Sequence, residues 1–180
     1  MASEHIPAED WSWLAGTYWY VPVETLPAIV MVDIRKLRTV EVQDQTLWRI
    51  EQADSGYLIG STALSLDGRA FSYAVHVGSI TPSGEVLLSF APVDPVSGNP
   101  TTGFEVAPLT MGIGKMVKYR GQWAFLMQMS SGTGAMSLTH WSYMVQSTPD
   151  DPSWRNIPGV PGVTIGEVFA ALPQAEAEAE

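Results

Sequence analysis

Leu47 to Ala91 reads LWRIEQADSGYLIGSTALSLDGRAFSYAVHVGSITPSGEVLLSFA, and three turn signals punctuate it. Ala53-Asp54-Ser55-Gly56, Asp67-Gly68 and Thr81-Pro82-Ser83-Gly84 each sit between runs rich in Val, Ile, Leu, Tyr, Phe, Ser and Thr. An Asp-Gly pair supplies the positive φ angles of a type I′ turn, and a four-residue loop ending in Gly closes through a left-handed residue. The spacing predicts strands at Leu47–Gln52, Tyr57–Leu66, Ala70–Ile80 and Glu85–Ala91, joined as antiparallel hairpins. Hairpins this tight set the register, and register decides which side chains share a face.

The pattern continues on both sides. Thr17–Val23 and Ala28–Ile34 read as strands separated by Leu26-Pro27, with a shorter one at Thr39–Val42. Gln122–Ser130 and Ala135–Gln146 form a further hairpin around Ser131-Gly132-Thr133-Gly134. Phe104–Tyr119 is β-prone, but Pro108, Gly112 and Gly114 predict a bend or bulge within it. Asp94–Thr102 reads as a loop and Thr148–Gly162 as a connector rich in proline and glycine. Pro7 to Leu14 suits one or two helical turns ended by Gly16. Thr164-Ile165-Gly166-Glu167 has the form of a capping box, opening a short helix that runs through Leu172 to Pro173.

Eight to ten antiparallel strands with short terminal helices predict an all-β fold, a closed up-and-down barrel, because closure leaves no edge strand exposed. Residues 1–173 make one domain in this reading, and the alternating Ala/Glu stretch 174–180 is a disordered acidic tail. The opening Trp13-Leu14-Ala15-Gly16-Thr17-Tyr18-Trp19 resembles that of lipocalin-like (calycin) barrels, where a short helix leads into a Gly–x–Trp strand. Here the tryptophan falls three residues after the glycine instead of two. The resemblance implies an interior that binds small, mostly apolar molecules.

Composition narrows the classes of function. The chain has 180 residues, of which 46% are hydrophobic and only 16% charged, against about 25% charged in ordinary globular proteins. A β-rich chain with so few charges is expected to have part of its outer surface covered, as in a homodimer. The net charge of −10 comes largely from the ends, where Glu4, Glu9, Asp10, Glu176, Glu178 and Glu180 lie. Nine Lys and Arg in total, with no basic stripe beyond Arg35-Lys36 and Arg38, argue against a nucleic-acid surface. The absence of cysteine excludes disulfides, thiolate catalysis, iron–sulfur clusters and cysteine zinc sites. Met1–Asp10 lacks the basic-then-apolar form of a leader, and no apolar run reaches the ~18 residues of a membrane span. The expectation is a cytoplasmic protein with no membrane partner.

With the Asp67-Gly68 and Thr81–Gly84 turns taken as read, Leu58, Leu64, Phe71, Tyr73, Val75, Val77, Leu88 and Phe90 fall on one face. Burying each large side chain is worth about 1.5–3 kcal/mol, so this face is expected inside. Ser72, Ala74 and His76 then point outward. Around Gly132, Trp123, Phe125, Met127, Met129, Trp141 and Tyr143 share the expected inner face, and Leu138 and His140 the outer one. Methionine adapts to irregular guests, so such a wall suits an apolar or aromatic ligand.

Carrying the register across Ala53–Gly56 sets Arg49 opposite Gly60, with room for a guanidinium, and brings Glu51 onto the same interior face. The competing arrangement buries Trp48 and Ile50 and turns Arg49 to solvent, and aromatic burial is the larger single term. The candidate ligand-binding residues are therefore Arg49, Glu51, Phe71, Tyr73, Phe90, Trp123, Phe125, Met127, Trp141 and Tyr143.

No cofactor or metal is expected. His5, His76 and His140 show no metal-ligand spacing, and no G-x-S-x-G is present. Gly112-Ile113-Gly114-Lys115 lacks the rest of a phosphate loop, and proline blocks the Asn99-Pro100-Thr101 sequon. Asp33 sits in the apolar run Ile29–Ile34, where desolvation would raise a carboxyl's pKa, and Tyr73 and Tyr143 are oxyanion donors by type. Three functions fit: binding of a small apolar or aromatic molecule, cofactor-independent cyclisation or isomerisation in a shaped aromatic pocket, or a structural or assembly role for a filled barrel.

Overall fold

The Leu47–Ala91 meander is the middle of one continuous antiparallel sheet. The computed structural model describes residues 10–33, 36–68, 71–94, 109–133, 136–151, 154 and 162–172. Its strands are β1 (Thr17–Tyr20), β2 (Leu26–Asp33), β3 (Lys36–Val42), β4 (Asp44–Asp54), β5 (Tyr57–Leu66) and β6 (Ser72–Ile80). They continue as β7 (Glu85–Pro92), β8 (Leu109–Tyr119), β9 (Gln122–Thr133) and β10 (Met136–Ser147).

β1 and β2 lie end to end along β10, with Tyr20 opposite Val145 and Ala28 opposite His140. β3 and β4 follow them on the other side, with Val42 opposite Leu26 and Leu47 opposite Tyr20. The ten segments thus make a closed, all-antiparallel barrel of eight staves. The first stave is broken between Tyr20 and Leu26, where the Val21 N–H donates to the Thr46 carbonyl at 3.3 Å.

Turn geometry corrects several expected faces. Asp67 and Gly68 do have positive φ, 52° and 70°, but pairing resumes with Leu64 opposite Ser72 rather than Phe71. One extra residue in the connection flips all of β6. Tyr73, Val75 and Val77 turn outward, and Ala74, His76 and Gly78 turn in, beside the correctly placed Leu58, Leu88 and Phe90. β9 and β10 connect between Thr133 and Met136 and pair Met127 with Ser142 and Gln128 with Trp141, so β10 presents the opposite face to the one expected. Leu138, His140, Ser142 and Met144 face the interior, and Trp141 is 58% exposed.

Ser55 and Gly56, at φ 51° and 80°, form a two-residue turn, and a register shift between Ile50 and Gln52 follows it. Trp48 and Ile50 are therefore buried, while Arg49 and Glu51 are exposed. β8 pairs with both neighbours without a register shift, so no bulge occurs at Gly112 or Gly114, while residues 104–108, the rest of that expectation, lie outside the described residues. Its glycines serve clearance instead: a Cβ at Gly112 would lie 2.8 Å from the Met129 Sδ, and one at Gly114 would strike Met127.

One end of the barrel is plugged. A 3-10 helix at Ser12–Leu14 buries Leu14 completely, and Trp11 donates its Nε1–H to the Thr81 carbonyl at 3.0 Å. Trp11 meets Trp123 edge-on at 5.1 Å between centroids. Above them Trp19, Phe125 and Trp48 stack in T-shaped pairs at 4.7 and 5.5 Å, and Phe90 and His76 each lie 5.8 Å from Trp48.

The C-terminal helix α1 (Ile165–Ala170) packs outside the barrel. Thr164 and Glu167 make the reciprocal capping-box bonds, and Ile165, Val168 and Phe169 cover Tyr20, Leu47, Ala63 and Trp154. On strands β5 to β8 the outer face exposes apolar side chains: Ile59, Val77, Leu87 and Ile113 are all at least 44% exposed. No helix among the described residues is long and apolar enough to cross a membrane.

Candidate functional site

The aromatic plug fills only one half of the interior. In the other half lies a cavity of about 270 Å³, floored by Trp48 and Phe90. Its lining extends toward the end where β5 precedes β6 and β9 precedes β10, through Leu64, Ser72, Ser131 and Leu138. The walls are mostly apolar, with Val21, Met127, Met129 and Met144 prominent. Small side chains on inward positions create the space: Ala74 and Thr62 stand opposite each other, and Gly112 admits the Met129 side chain.

Asp44 and His140 enter this wall from β4 and β10. Asp44 opens β4 and is 2% exposed, yet it lines the cavity and accepts a hydrogen bond from the Thr46 hydroxyl. Burial pushes its carboxyl above the usual carboxylate range, although the Thr46 hydroxyl and the charge of nearby His140 pull the other way. His140 on β10 reaches the cavity beside Ser142. The two carriers, β4 and β10, flank the break in the first stave. The Trp48 Nε1, the Ser142 Oγ and the His140 Nδ1 are all buried without a hydrogen-bond partner among the described residues.

A buried polar atom left unpaired costs about 1–3 kcal/mol, so three around one cavity are a specific arrangement. His76 sits behind the floor, with its Nδ1 2.9 Å from the Thr62 hydroxyl. Its burial is complete, and desolvation lowers its pKa from 6.5 to about 3, so the imidazole is neutral in the fold.

Of the residues singled out from the sequence, Phe90 and Met127 line this cavity. Phe125 is fully buried beneath it, and Trp123 is part of the plug. Tyr73 borders the cavity, but its hydroxyl donates to the Val168 carbonyl of α1 at 3.3 Å. Phe71 packs with Tyr73 against the outer cluster. Trp141 and Tyr143 are on the outer surface, Tyr143 with its ring 5.0 Å from that of Tyr119. Arg49 and Glu51 do not approach the cavity, and Glu51 accepts instead from the Ser61 hydroxyl at 2.8 Å on the outside. Asp33 ends β2 opposite Lys36, its side chain outside the described residues, as are His5 and the acidic tail.

The sequence reading missed Asp44, Thr46, His140 and Ser142. One signal was available: Gly60, Gly112 and Gly114 mark where inward-facing neighbours need room, and they fix the parity of the adjoining strands. The chain matches no protein-family model, no curated protein and no solved structure.

Proposed function

We propose that the open half of the barrel binds a small, largely apolar organic molecule bearing one hydrogen-bonding group. The observation that carries this reading is an unfilled apolar cavity with unpartnered polar atoms among its lining residues. Pockets for drug-sized ligands run to about 300–1,000 Å³, so a cavity of about 270 Å³ suits a small guest. The lipocalin-like arrangement, a barrel plugged at one end by a short helix and hollow at the other, supports the same use.

An aromatic or aliphatic body would lie between the Trp48–Phe90 floor and the methionine wall. Its polar group would face Ser142, His140 and Asp44. Satisfying those buried atoms on binding adds affinity and fixes orientation.

The test uses the neutral fluorescent probe N-phenyl-1-naphthylamine. Wild-type protein should bind it saturably with enhanced emission. Ala74→Phe, which fills the cavity from its wall, should abolish that binding while leaving the melting temperature within a few degrees. Ile113→Ser, on the outer face, should leave it intact. Probe binding lost in Ile113→Ser but kept in Ala74→Phe would move the site to the outer surface and refute the proposal.

A further inference from the structure

We propose that the cavity is also catalytic, with Asp44 and His140 acting as a proton-transfer pair on an apolar carbonyl compound that carries an acidic C–H beside its carbonyl. This rests on the cavity being a ligand site. Three observations lead to it. Asp44, almost wholly buried, and His140 both line a mostly apolar cavity, a costly placement for ionisable groups that do no more than fill space. The third ionisable side chain at the cavity, Tyr73, is committed to the Val168 carbonyl. Finally, Ser142 offers an unpartnered hydroxyl two residues from His140 on the same inward face of β10, where a substrate oxygen would be held.

The chemistry balances without an added reagent. The His140 imidazole removes the proton from the carbon next to the carbonyl, and the C–H electron pair moves into the new carbon–carbon double bond of an enol. Asp44, favoured in its acid form by burial, gives its proton to the carbonyl oxygen as charge develops there. In a β,γ-unsaturated ketone the resulting dienol takes the proton back from the imidazolium at the γ carbon. The enol oxygen returns its proton to Asp44. Substrate and product have the same formula, and the double bond has moved into conjugation. The dry methionine wall holds the substrate in one orientation through both transfers.

The experiment follows conversion of 3-cyclohexen-1-one to its conjugated isomer by ultraviolet absorbance, and α-deuterium exchange of 2-tetralone in D2O by NMR. Wild-type protein should accelerate at least one of these about 100-fold or more over buffer, as positioned acid–base groups do. Asp44→Asn and His140→Gln should each remove most of that acceleration while still binding N-phenyl-1-naphthylamine. Probe binding with both reactions at the buffer rate overturns the catalytic assignment and leaves the binding site standing. An acceleration that survives both substitutions overturns it too. No probe binding at all defeats the binding reading and this one with it.

Discussion

Gly60 on β5 lies directly opposite His76 on β6, and a Cβ at position 60 would come within 2.6 Å of the His76 Nε2. It would also strike the Arg49 carbonyl, which is backbone and cannot swing away. The absence of a side chain at one position is therefore what admits an imidazole at the next, and the imidazole in turn supports the Trp48–Phe90 floor of the cavity. Gly60→Ala is expected to destabilise by about 1–3 kcal/mol, the usual cost of overpacking. Urea unfolding of the two proteins measures it; equal midpoints would mean that β5 and β6 are not in this register.

The same histidine sets an acid limit. The unfolded chain accepts a proton on His76 near pH 6.5, whereas the native core refuses it until about pH 3. Below pH 6.5 the unfolded state therefore binds more protons, and stability present at neutral pH is lost as pH falls toward 3, on the order of 4 kcal/mol in all. Asp44 has the opposite sign: its raised pKa favours the fold at low pH and is a cost once it ionises. Comparing wild type with His76→Asn cancels that contribution. The difference in unfolding free energy between pH 7 and pH 4 should be smaller in the variant, and equal slopes would show that His76 titrates normally.

Arg49 and Trp48 are adjacent in sequence and opposite in consequence. Arg49→Met changes an exposed outer side chain and should leave stability within about 0.5 kcal/mol and probe affinity unchanged. Trp48→Phe removes an Nε1–H and part of the cavity floor and should weaken probe binding several-fold. Fluorescence titration of both variants decides between them. Weakened binding in Arg49→Met alone would put Arg49 inside.

The outer helix depends on its cap. The Glu167 N–H donates to the Thr164 hydroxyl at 3.0 Å, and α1 is only six residues long. Thr164→Ala should cost about 1 kcal/mol and loosen the covering of Leu47 and Ala63. Hydrogen exchange should rise in α1 and leave β7 to β9 protected. Unchanged exchange in α1 would show that packing alone holds it.

Much of this barrel is legible in the chain. The turn signals at Ser55-Gly56, Asp67-Gly68 and Gly84 all carry positive φ glycines, and the capping box at Thr164 forms as written. What the sequence hides is parity. Val75 and Val77 are more apolar than Ala74 and His76, and Trp141 and Tyr143 are larger than His140 and Ser142, so ranking burial by apolarity and size turns β6 and β10 the wrong way. Branched and aromatic residues suit an exposed strand surface as well as a core, and one extra loop residue decides which they occupy. The Asp44–His140 pair was less accessible still. It sets the start of β4 and β10 around one cavity across a broken stave, a juxtaposition that no spacing rule reaches.

The methionines provide the most direct test of the cavity. Met127, Met129 and Met144 line it, Met116 is buried toward the plugged end against Gly84, and Met31 and Met111 are exposed outside. With 13C-labelled methionine methyls, titration of N-phenyl-1-naphthylamine should produce saturable shifts at Met127, Met129 and Met144, with Met31 and Met111 still. Shifts confined to Met31 and Met111, with the three cavity methyls unmoved at saturation, would contradict a ligand site inside the barrel.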